Sequence, residues 1–107
     1  MQDYKDLVVW KKSHEFAINI YKSLSTFPKE ETYNLISQIK RASTSIPSNI
    51  AEGTGRHTQK DFASYLQNTL GSSHEVEYLL LLSKDLGFLN NESYVISAQH
   101  INEIKQC

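Results

Sequence analysis

Four histidines, one cysteine and twelve acidic residues are the parts of this 107-residue chain best suited to chemistry. Their spacing directs most of them away from it. A helical zinc site needs two histidines four residues apart on one face. His14, His57, His74 and His100 offer no such pair, and Cys107 stands alone at the last position, so no metal ligand is expected. His14 falls on an apolar helical face, which predicts a satisfied core or interface histidine, whereas His57 and His74 read as solvent-facing. Gly53-Thr54-Gly55 resembles a phosphate loop in composition only, since no strand precedes it and the Lys-Ser/Thr ending is missing. No serine sits in a Gly-x-Ser-x-Gly turn. Glu75 and Glu77, on one helix, diverge by about 200°, too far to share one substrate as acid and base. No catalytic residue, cofactor or small-molecule substrate is inferred.

Two other groupings carry more. Gln38, Arg41, Ser45, Asn49 and Glu52 recur at i, i+3 and i+4 and form a hydrogen-bonding rail beside an apolar stripe. A solvated face is the plain alternative. A rail facing another helix or subunit is favoured, because serine and asparagine form helices poorly unless something else requires them. Lys40, Arg56, His57 and Lys60 cluster around one predicted turn, with Lys11 and Lys12 available on the first helix, as candidate nucleic-acid contacts. Ordinary solvated cations are the alternative there, given a net charge of −1.

The elements that hold these residues read as four helices. The first is predicted over about 7–25, with Leu7, Trp10, His14, Ala17, Ile18, Tyr21 and Leu24 on its main face. Its apolar arc is roughly 200° wide, more than one flat contact needs. Phe27-Pro28 breaks it, and Thr26 is a candidate cap for the second helix, predicted over about 29–52 with Glu30 and Glu31 where the helix dipole favours acid. Its stripe Leu35, Ile39, Ala42, Ile46, Asn49, Ile50 and Gly53 passes straight through Pro47. An interior proline costs about 3 kcal/mol in a helix, so a bend is expected there, with Ser43 or Thr44 serving the freed carbonyls and Gly53 in the left-handed C′ position.

Thr58-Gln59-Lys60-Asp61 resembles a capping box that opens a third helix over about 59–86, stopped by Gly87. Phe62, Tyr65, Leu66, Thr69, Ser73, Val76, Leu80 and Ser83 form its main face. Leu79, Leu80, Leu81 and Leu82 point in four directions, more than one small bundle can bury, so subunit contacts are expected at Leu79, Leu81 and Leu82. Gly71, beside Ser72 and Ser73, costs about 1 kcal/mol against alanine, and tight packing is the expected return. A fourth helix over about 91–106 takes Asn91 as N-cap and carries Val95, Ala98, Ile101 and Ile104. Short loops predict one all-α domain over 1–107, an antiparallel up-down-up-down four-helix bundle.

Composition narrows the class further. At this length folding buries roughly 60–70% of the surface exposed when unfolded. Near-zero net charge gives neither a strong basic field nor an acidic solvating tail. A lone cysteine excludes an internal disulfide and fits a reducing compartment. No apolar run reaches the ~18–20 residues of a membrane span, and Met1 to Asp6 lacks the layout of a secretory signal. A cytoplasmic protein is expected.

Asp6-Leu7-Val8-Val9-Trp10, Phe27-Pro28-Lys29-Glu30-Glu31 with Tyr33 and Leu35, Gln38 through Arg41-Ala42, and above all Ser45-Ile46-Pro47-Ser48-Asn49-Ile50-Ala51-Glu52-Gly53 resemble the motifs of a known family. Phe62, Tyr65, Leu66, Gly71-Ser72, Glu75 and Leu79 continue the likeness over nearly the whole chain. It is the family of small bacterial four-helix proteins named for reading frames in intervening sequences of 23S ribosomal RNA genes. The resemblance implies an antiparallel bundle that assembles into a ring, typically a homopentamer. It also implies kinship with the accessory variability protein of diversity-generating retroelements, a basic pentameric barrel that binds nucleic acid and a reverse transcriptase. This chain departs from that relative in its slightly negative charge. The expected function is a non-enzymatic homo-oligomeric scaffold or adaptor. The alternative is a nucleic-acid-binding accessory protein, for example the partner of a reverse transcriptase.

Overall fold

The computed structural model describes residues 3–107, so Met1 and Gln2 of the opening hexapeptide lie outside the described residues. Four α-helices account for most of them: α1 (Val8–Ser23), α2 (Leu35–Thr54), α3 (Gln59–Asp85) and α4 (Asn91–Gln106). No helix is long and apolar enough to cross a membrane. The body measures 44 × 24 × 18 Å.

A single buried cluster joins all four helices. Phe16 and Ile20 of α1, Ile39, Ile46 and Ile50 of α2, Val76 and Leu80 of α3, and Ile101 of α4 are each at most 2% exposed. Each such side chain contributes about 1.5–3 kcal/mol through burial. Small hydroxyls share this interior without orphaned groups. Ser13, Ser73 and Ser83 donate to the carbonyls of Val9, Thr69 and Leu79, four residues back, at 2.7–2.8 Å, which satisfies each inside its own helix.

The stripe of α2 runs unbroken through buried Pro47, as its period requires. Proline has no N–H for the Ser43 carbonyl, and the nearby hydroxyls do not replace it. Ser43 donates to the Lys40 carbonyl at 3.1 Å, and Thr44 to those of Lys40 and Arg41 at 2.9 and 3.2 Å. Serine and threonine in a helix reach back along their own turn, so they serve carbonyls ahead of the one that proline frees.

Several helix ends differ from the sequence-based expectation. The second helix does not begin at Lys29. Lys29–Glu31 form an isolated 3-10 turn, Asn34 leaves the helical region at φ −125°, ψ −98°, and α2 starts at Leu35. Residues 29–34 contain no side chain that the core takes up, and a short helix without an apolar face has little to hold it. Thr26 does not cap this turn either. Its hydroxyl donates to the Phe88 carbonyl at 2.9 Å, and the Phe27 and Phe88 rings meet at 5.9 Å, tying the α1–α2 link to the α3–α4 link. The first helix tightens into a 3-10 turn at Leu24–Thr26.

Gly53 is not a left-handed cap. The helix continues through Thr54, and the positive φ among the described residues belongs to Gly87, at 82°. There Phe88 N–H donates to the Ser83 carbonyl and Gly87 N–H to that of Lys84, the paired bonds of a Schellman stop. Thr58 accepts from the Asp61 N–H at 3.1 Å, as its capping position predicts. The cap of α4 is Asn90, which accepts from the Ser93 N–H at 2.8 Å, and not Asn91. Burial of Leu89 fixes the chain one residue earlier than the pattern of the Asn pair suggested.

The absent side chain of Gly53 has another use. A Cβ there would lie 3.0 Å from Phe62 Cδ1 and 3.0 Å from Tyr65 Cβ, so the glycine lets the end of α2 approach the start of α3. Gly71 is the reverse case: a Cβ would meet nothing within 4 Å, so within the chain its side of α3 is exposed and packs against nothing. Gly53→Ala is expected to lower unfolding stability by about 1–2 kcal/mol, since the Tyr65 Cβ cannot retreat without moving backbone. Thermal and denaturant unfolding would check this; an unchanged or higher stability would contradict it.

Candidate assembly surface

Two residues of the α2 polar rail, Arg41 and Ser45, reach α3 within the same chain. Arg41 reaches Glu75 at 3.3 Å, Ser45 Oγ accepts from Ser72 Oγ at 2.9 Å, and Asn49 Nδ2 donates to the Ser45 carbonyl and hydroxyl at 2.7 and 2.9 Å. Gln38 turns back to Asn34 at 3.0 Å, and Glu52 reaches Arg56 at 3.9 Å. Ser45 therefore returns a hydrogen bond to the neighbouring helix, and Asn49 holds the Ser45 hydroxyl from within α2. Glu77 points elsewhere, to Lys105 of α4 at 2.9 Å, in keeping with its angular separation from Glu75.

The four consecutive leucines divide by surroundings. Leu79 and Leu80 are buried, Leu82 packs against the core, and Leu81 is 37% exposed. One bundle thus takes up three of them, because α3 touches both α2 and α4, and of the three leucines expected at subunit contacts only Leu81 remains largely free. It is not isolated. Leu66, Leu70 and Tyr78 are also exposed on α3, and at about 100° per residue they fall with Leu81 in an arc of about 120° that His74 and Glu77 share, Leu66 and Leu70 bordering a pocket with Val9, Ile50 and Ile104.

A second apolar surface lies between α1 and α2. On the α1 wall Trp10 stacks on His14 at 4.8 Å with 9° between the rings, and Tyr4 meets Trp10 edge-on at 5.1 Å. His14 is exposed, so it is not a core residue: Phe16, Ala17 and Ile20 take the core side of α1, His14 and Tyr21 are left outside, and half-buried Trp10 packs at the edge of the core. The α2 wall offers only Thr44, Pro47, Ser48 and Ala51. Large rings opposite small residues leave an open cleft of about 600 Å³. The wide apolar arc of α1 was the sequence signal for this surface; the small residues opposite were not recognised as its other wall.

The candidate nucleic-acid contacts are dispersed. Arg56, His57 and Lys60 are exposed around the α2–α3 turn. Arg56 is held by a hydrogen bond to the Tyr65 hydroxyl and lies 4.7 Å from that ring's centroid. Lys40 sits over Tyr21 at 5.1 Å, sixteen residues from Arg56 on a helix that rises about 1.5 Å per residue. Lys11 is exposed on α1, and Lys12 approaches Glu103 at 4.0 Å. Among the described residues no three His, Cys, Asp or Glu side chains converge as metal ligands.

Residues 5–107 match the family described as 23S rRNA-intervening sequence protein. This chain belongs to that family. The family member is also similar to a crystal structure from Bacteroides thetaiotaomicron, described as a protein of unknown function from the S23 ribosomal protein family. The two share 32% identity and a TM-score of 0.83, over 92% of this chain and 93% of the other. No curated protein matches it significantly.

Ser45→Ala is expected to cost about 1 kcal/mol of stability, the net worth of a hydrogen bond between half-buried groups, and to couple with Ser72→Ala in a double-mutant cycle. Additive losses would show that the rail is not a contact between α2 and α3.

Proposed function

We propose that this family member is a non-enzymatic scaffold or adaptor that assembles into a homo-oligomeric ring of five copies, each a single antiparallel up-down-up-down bundle working in the cytoplasm. The antiparallel arrangement is supported by the order of contacts. Residue numbers fall on α3 as they rise on α2, through Arg41–Glu75, Ser45–Ser72 and Gly53–Tyr65. The same reversal holds between α1 and α4, from Lys12–Glu103 to a shared surface of Ile20 with Ser93 and Ile96.

The observation that carries the assembly reading is the exposed apolar surface. Ile18, Tyr21, Leu66, Leu70, Tyr78 and Leu81 are 37–59% exposed on a chain of only 107 residues. These side chains fall in separate groups on α1 and α3, and apolar patches larger than a few hundred Å² mark association surfaces. Five copies is the number that the family resemblance implies. Sedimentation or light scattering at micromolar concentration is expected to give a mass near five times the 12.3 kDa chain. A monomer at those concentrations would contradict the reading.

A second reading, a nucleic-acid-binding accessory protein such as the partner of a reverse transcriptase, is favoured by one feature. Arg56, His57 and Lys60 share one exposed turn, which a ring would repeat around its axis. On this reading structured RNA or duplex DNA is retarded in low-salt gels, and Arg56→Ala with Lys60→Ala abolishes the shift. Binding that survives the double substitution would place any contact elsewhere.

A further inference from the structure

We draw no further inference here: the strongest candidate, the open apolar cleft between α1 and α2 lined by Trp10, Ile18, Tyr21 and Pro47, carries nothing because nothing in the structure shows what covers it.

Discussion

The close approach of α2 and α3 is the contact on which the rest of the structure depends. Gly53 permits it at one end, where a side chain would collide with Phe62 and Tyr65. The small Ser45 and Ser72 sustain it at the middle, and Arg41 with Glu75 closes it towards the other end. With these two long helices set, α1 and α4 are placed by what remains apolar. Phe16 and Ile20 enter from one side and Ile101 and Ile104 from another, and both sets join the one buried cluster that includes the isoleucines of α2. The interior hydroxyls do not compete for this space, since each returns its hydrogen bond to its own helix.

That arrangement has a consequence at the surface. Arg41 and Ser45 of the polar rail are engaged across the α2–α3 seam. Leu79 and Leu82 are drawn towards the interior, where Leu80 already lies. What stays outside is aromatic and aliphatic: Ile18 and Tyr21 beside the gap left by Pro47, Ser48 and Ala51, with half-buried Trp10 at its edge, and Leu66, Leu70, Tyr78 and Leu81 on α3. The segment around Pro47 therefore has two roles. Its Ser45, Asn49 and Gly53 side turns to α3, while its Pro47, Ser48 and Ala51 side forms the small-residue wall of the cleft.

Most of this framework was legible from period alone. The stripe from Leu35 to Ile50 predicts a helix strongly enough to override a proline, because the core positions Leu35, Ile39, Ala42, Ile46 and Ile50 outweigh one lost backbone bond. Helix ends were less legible. Whether Asn90 or Asn91 caps α4 depends on the burial of Leu89, and whether residues 29–34 extend α2 depends on what the core takes up. Neither follows from propensity. Glycine was the least transparent residue: Gly53 and Gly71 both interrupt a helical pattern, yet one sits against a neighbouring helix and the other faces open space. The rail on α2 was visible as a pattern, but only the register of α2 against α3 reveals that Arg41 and Ser45 meet Glu75 and Ser72 of the same chain. The cleft was half visible, as an apolar arc too wide for one contact, and its other wall is defined by side chains that are missing.

Trp10 is the only tryptophan of the chain and lines the cleft, so its fluorescence reports on whether that surface is covered. The most direct measurement is Trp10 emission followed on dilution alongside particle mass. If a second copy seats in the cleft, the emission shifts to the red over the same concentrations at which the mass falls to that of one chain. Emission that stays constant while the assembly dissociates would contradict the account, because the copies would then be joined through another face.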